Sequence, residues 1–194
     1  HIEASKAGVE VLKAGGNAID AIVAAAASLN AAEPYMSGTA GVGYMLFYSA
    51  KENRVRSLVF GGWVPETFKI TKFKTDVKVA DGAGHGAMES IGPRIASVPG
   101  NLAGWAKALK DYGTMPLSEV FESAIDYLEN GVPITEFDQA MWAGTVKRIA
   151  PHAESRKIFF KNDKDPFVIG DYFSNKPLAK TMRRIASEGI DVFY

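Results

Sequence analysis

The run AIVAAAASLNAA, residues 21–32, constrains this chain more than any other stretch. Alanine is the strongest helix former, and its methyl side chain lets neighbouring elements approach closely. A helix this small and apolar on most of its faces is read as buried. It is also far shorter than the roughly 20 apolar residues that a bilayer requires, so no membrane span is predicted. Just before it, EASKAGVEVLKA (3–14) places Ala4, Ala7, Val11 and Ala14 on one helical face and stops at Gly15-Gly16. Asn17 then stands at the N-cap of the alanine helix, with Asp20 three residues on as the return partner of a capping box. Both are read as caps rather than catalytic groups.

The alanine helix runs into SGTAGVG (37–43), a loop that invites comparison with a phosphate cradle. A dinucleotide or P-loop site needs a strand, then glycines, then a helix whose first amides point at the phosphate. Here the order is helix, glycines, strand, so chain order supplies no helix N-terminus to the loop. Gly38, Gly41 and Gly43 are therefore expected to serve positive φ or close backbone approach where the helix turns back into a sheet.

GYMLFYSA (43–50) and RVRSLVFGGW (54–63), joined by KEN, predict an antiparallel hairpin. Residues 69–92 are lysine- and glycine-rich, weakly patterned, and expected at the surface. RIASVPG (94–100) predicts a strand, and NLAGWAKALKDYG (101–113) a helix capped by Asn101 and ended by Gly113. One helix is predicted over 116–131, with Pro116 in its first turn and Gly131 after it. Residues 136–154 read as helix, KIFF (157–160) as a strand, NDKDP (162–166) as a turn and LAKTMRRIASEG (178–189) as a last helix. Strands and helices thus come in mixed order without βαβ alternation, which predicts an α+β fold: an antiparallel sheet covered by helices.

Charge and composition exclude several functions. Lysine plus arginine equals aspartate plus glutamate at 22 each, so no positive excess is present to hold nucleic acid or an anionic membrane surface. With no cysteine, disulfides, thiol nucleophiles and thiolate metal ligands are out, and the compartment stays open. His1, His85 and His152 are dispersed, with no second ligand at metal spacing, so no metal site is predicted. Asp163 and Asp165 lack the pattern of a calcium loop and read as turn residues. No GxSxG elbow and no SxxK pair occurs. The chain opens on His1 rather than methionine, so it is expected to be an internal segment or to have lost its start.

Taken together, AGVEVLKAGGNAIDAIVAAAASLNAAEPYMSGTAGVGYMLFY resembles the N-terminal signature of the γ-glutamyltranspeptidase family. IASVPGNLAGWAKALKDYGTMPLSEVFESAIDYLENGVPIT and IGDYFSNKPLAKTMRRIASEGIDVFY are similar to later segments of the same family, in the same order. The resemblance covers nearly the whole chain and is weakest over 64–92. It implies the N-terminal nucleophile hydrolase fold, a four-layer αββα sandwich, of which residues 1–194 form one large-subunit segment completed by residues not in this chain. It further implies a precursor that cuts itself to expose a threonine at the head of a small subunit. That hydroxyl, with its own α-amine as base, attacks a γ-glutamyl amide of the glutathione type and passes the acyl group to water or an amine.

On this resemblance the small subunit is the obligate partner, a small-molecule γ-glutamyl or related amide is the substrate, and a higher oligomer is possible. No metal or organic cofactor is implied, since the amine and oxyanion donors suffice. No nucleophile is expected here: Thr39, Thr67, Thr114 and Thr181 are internal. Members are often secreted or periplasmic, and no signal is visible. One departure stands out. Where the family has an R-E-x-A-P segment whose arginine holds the substrate α-carboxylate, this chain has GGWVPETF (61–68). Glu66 and Thr67 align with the motif, while the arginine position falls on Pro65, or on Val64 with a shift. Arg94 is the candidate replacement cation, with a surface ion pair as the plainer reading. Trp63 and Tyr35 are candidates for an acyl pocket or for core. A relaxed acyl donor, as in the acylase-like relatives, or a scaffold without activity follows as the alternative.

Overall fold

The computed structural model describes residues 1–62, 66 and 96–194. The surface segment expected over 69–92, with His85, lies outside the described residues, as do Trp63, Thr67 and Arg94. Helix α1 (Ile2–Lys13) packs against α2 (Ala18–Ala32) through their smallest side chains. Ala4, Ala7, Gly8 and Val11 are the buried face of α1, and Val23, Ala24 and Ala27 are fully buried in α2. A methyl group added at Gly8 would stand 3.1 Å from the Ala21 carbonyl oxygen, which shows how closely the helices approach. Ala14, expected on the buried face, is an exposed C-cap because the helix has already ended there.

Strands β1 (Gly43–Ser49) and β2 (Arg54–Phe60) form the predicted hairpin, antiparallel in a register from Gly43↔Phe60 to Ser49↔Arg54. The period of two divides its faces. Met45, Phe47, Leu58 and Phe60 pack on the helical core, whereas Tyr44, Leu46, Tyr48, Val55 and Val59 are exposed.

Helix α3 (Asn101–Tyr112) buries Leu102, Trp105, Ala108 and Leu109. The single helix predicted over 116–131 is two, α4 (Leu117–Val120) and α5 (Glu122–Asn130), with Pro116 as N-cap. The break falls at Phe121, whose fully buried ring stands edge-on to Trp105 at 6.2 Å, so tertiary packing overrides a continuous helical pattern. Gly131 ends α5 at φ +92, a conformation that L side chains rarely adopt. It leads into β3 (Val132–Pro133), which pairs antiparallel with β4 (Tyr172–Phe173).

Helices α6 (Glu136–Ile149) and α7 (Ala153–Phe159) follow β3. The strand expected at KIFF is the end of α7, with only Phe160 extended, and the strand expected at 94–100 is irregular over its described residues 96–100. The turn at NDKDP forms, with Asn162 and Asp163 at positive φ. Helix α8 (Lys176–Glu188) starts at the Asn175 cap, whose side chain accepts from the Leu178 amide at 3.1 Å. One core links these elements, from Val23 and Leu102 through Phe121 and Leu128 to Trp142, Phe173 and Met182. The architecture is α+β, as predicted. Among the described residues no helix is long and apolar enough to cross a membrane.

Candidate functional site at the end of the hairpin

The glycine loop is a joint between α2, the hairpin and α3. Buried Asn30, near the end of α2, accepts from the Thr39 amide at 2.7 Å and its hydroxyl at 2.9 Å. Its own amide donates to the Ala27 carbonyl at 2.7 Å, so both ends of the side chain are satisfied. From the other side, the amides of Gly100 and Asn101 donate to the Gly41 carbonyl at 2.8 and 2.9 Å. Asn101 Nδ2 donates to the Gly38 carbonyl at 2.7 Å.

These contacts correct two expectations. Asn101 does not cap α3; Gly100 does, without a side-chain hydrogen bond, and the buried Asn101 amide is directed into the loop. A helix N-terminus does reach the loop in space, although chain order separates them by the hairpin and residues 61–95. Its first amides are already taken by Gly41, and the loop is no phosphate cradle. Gly38, Gly41 and Gly43 are absent from the positive-φ glycines. Close approach explains Gly41 and Gly43, where an added methyl would stand 2.8 Å from Asn101 Nδ2 and 2.5 Å from the Phe60 ring. Gly38 has only an ordinary contact at 3.7 Å.

The same joint fixes where the chain leaves and rejoins the hairpin. A methyl on Gly100 would stand 2.1 Å from the Phe60 carbonyl oxygen, and one on Gly62 would stand 2.5 Å from Ser97 Cβ. The end of β2 and the turn before α3 are therefore in direct contact, and they bracket the segment holding the sequence-predicted binding residues. Of these, Glu66 is exposed, four residues after the joint at Gly62. Thr67 and Arg94 lie outside the described residues.

Two buried carboxylates anchor the helices behind the joint. Asp20 completes the capping box with Asn17, its Oδ2 accepting from the Asn17 amide at 2.8 Å. It also accepts from Thr114 Oγ1 at 2.7 Å and from the amides of Thr114 and Met115. Burial by itself raises its pKa, but the hydrogen bonds from Thr114, Asn17 and Met115 outweigh burial and hold the carboxyl below its ordinary value. Gly113 is needed beside it: it is extended rather than left-handed, and an added methyl would stand 2.6 Å from Asp20 Oδ1.

Asp138 caps α6 with Thr135, whose hydroxyl donates to Oδ2 at 2.6 Å, while the Tyr35 hydroxyl donates to Oδ1 at 2.5 Å. Burial, then Asp138, pushes the Tyr35 phenol well above its usual range. Tyr35 is thus a half-buried structural donor with its ring 5.7 Å from Trp142. This network was missed from sequence, although the T-x-x-D spacing of Thr135 and Asp138 is a readable capping box.

A helix-backed hairpin with an apolar outer face, joined through close glycines rather than a phosphate loop, defines a layered α+β protein. The family model described as γ-glutamyltranspeptidase matches residues 4–194. The glutathione hydrolase proenzyme of Escherichia coli is 32% identical over 98% of this chain and 32% of its own length. The acylase ACY 1 proenzyme of a Pseudomonas species is 31% identical over 100% of this chain and 35% of its own. The crystal structure of Helicobacter pylori γ-glutamyltranspeptidase superposes with a TM-score of 0.88 at 31% identity, covering 100% of this chain and 54% of that chain. The chain belongs to the γ-glutamyltranspeptidase family and corresponds to the N-terminal part of its large subunit. It spans about a third of the length of these curated relatives.

Proposed function

We propose that this chain is the large-subunit portion of a self-processing enzyme that transfers or hydrolyses γ-glutamyl amides, forming one helix-backed sheet of a four-layer αββα sandwich. The observation that carries this is the outer hairpin face. Tyr44, Leu46, Tyr48, Val55 and Val59 make a continuous apolar surface, each more than half exposed, of a kind that soluble proteins cover. A second sheet from residues outside this chain covers it. That sheet, on the family pattern, carries the threonine nucleophile at the head of the small subunit, its α-amine acting as base. The joint around Gly41, Gly62 and Gly100 then forms part of one cleft wall, from which Glu66, Thr67 and Arg94 bind the acyl donor.

Intact-mass spectrometry and N-terminal sequencing of the complete gene product test this reading. Two chains are expected, the smaller starting with threonine; a single uncut chain, inactive toward γ-glutamyl anilides, overturns it and leaves a scaffold relative.

A second reading of the donor rests on GGWVPETF (61–68), which has no arginine to grip an α-carboxylate. An acylase among the relatives supports it. In that case glutaryl anilides, which lack the α-amino-acid head group, are hydrolysed about as fast as γ-glutamyl anilides. A strong γ-glutamyl preference removes this reading.

A further inference from the structure

Helices α6 and α7 and the Pro34-Tyr35 turn that follows α2 line a half-open cavity of about 320 Å³. Its size suits a compact ligand rather than a polymer. Tyr35, Trp142 and Phe159 supply an aromatic interior, and Pro34 and Ile149 extend it. The aromatic groups are held in place: Trp142 Nε1 donates to the Phe159 carbonyl at 2.9 Å, and the Tyr35 hydroxyl is bound to Asp138. Their polar atoms are thus occupied, and the interior offers ring faces and edges rather than unpaired donors.

The remaining lining is polar: Arg148 brings a guanidinium and His152 and Ser155 bring an imidazole and a hydroxyl, whereas the Thr145 hydroxyl is spent on the Trp142 carbonyl at 2.9 Å; no carboxylate is among the lining residues. Arg148 is exposed and makes no ion pair among the described residues. The nearby acid, Asp138, is buried and does not line the cavity; its oxygens accept from Tyr35 and Thr135, and Oδ2 also lies 3.3 Å from His1 Nε2. A guanidinium beside a preformed aromatic slot matches a carboxylate carried on a short arm from an aromatic ring.

We propose that this cavity binds a small aromatic carboxylate, the ring against Tyr35 and Trp142 and the carboxylate on Arg148 and His152. The proposal does not depend on the γ-glutamyl activity proposed above. Isothermal titration of the complete, purified protein with 3-phenylpropanoate and with its neutral amide tests it. The acid is expected to bind about tenfold more tightly than the amide, the margin of one charge-assisted hydrogen bond. Arg148→Gln should erase that preference without moving the thermal unfolding midpoint. Ser155→Trp, which fills the cavity, should abolish binding of both compounds. Equal affinities for acid and amide, no binding to the unaltered protein, or unchanged acid preference in Arg148→Gln each overturns the proposal. Binding retained in a folded Ser155→Trp protein overturns it as well; if that variant fails to fold, Arg148→Gln decides.

Discussion

Asp20 is the residue on which most local structure converges, since its one carboxylate serves the cap of α2 and the turn after α3. Replacing it with asparagine keeps the shape but turns one of its two acceptor oxygens into a donor, which then faces either the Thr114 and Met115 amides or the Asn17 amide and the Thr114 hydroxyl. Leaving buried donors unpaired costs about 1–3 kcal/mol each, so Asp20→Asn is expected to destabilise by at least ~2 kcal/mol in urea unfolding. The acid limb should change too. The folded carboxyl titrates below its unfolded value of about 3.9, so its contribution is complete above that pH and is lost as pH falls through the lower folded value. Unfolding midpoints of Asp20→Asn are therefore expected to fall less steeply than those of the unaltered protein below about pH 4. An identical acid limb would show that Asp20 does not control it.

Among elements, the contact between the end of β2 and the start of α3 tolerates least. At Gly100 the offending atom is the Phe60 backbone oxygen at 2.1 Å, which cannot rotate away as a side chain can. Gly100→Ala is thus expected to destabilise by at least the ~1–3 kcal/mol of ordinary overpacking. Gly15→Ala also meets strain, from its φ of +95, but no atom stands within 4 Å of the added methyl, so its loss should be the smaller. Thermal unfolding of the two variants side by side checks the order. In the second half of the chain, Phe173 is the keystone: it is fully buried, and its ring lies 4.9 Å from Trp142 and 5.4 Å from Phe167. Phe173→Ala is expected to cost about 3–5 kcal/mol, measurable as a lowered denaturant midpoint.

For the whole molecule, the bare hairpin face sets the behaviour. Leu46→Asp places a charge at the centre of the apolar face, opposite Ser57 in the register. Expressed as the 194-residue piece, this variant should stay soluble to higher concentration than the parent. In the complete gene product it should block close packing of a second sheet, so processing into two chains should fail or slow at least tenfold, as read by gel or intact mass. Unchanged processing would mean that no second sheet packs on this face.

The elements written in local pattern were determined by the sequence alone. Alanine spacing, the Asn17–Asp20 box and the alternation of 43–60 fixed α1, α2 and the hairpin, because these depend on neighbours within a few residues. The order of motifs was enough for the family. Tertiary structure alone decided that α3's N-terminus meets the glycine loop, that Asn101 spends its amide on Gly38 instead of a cap, and that Phe121 splits a helix. The KIF segment, apolar and short, fits either a strand or a helix by pattern, and packing chose the helix. Each of these outcomes depends on partners well outside the local window of the chain, and a backbone amide or an aromatic ring takes the best partner that folding brings within reach, not the nearest one in sequence.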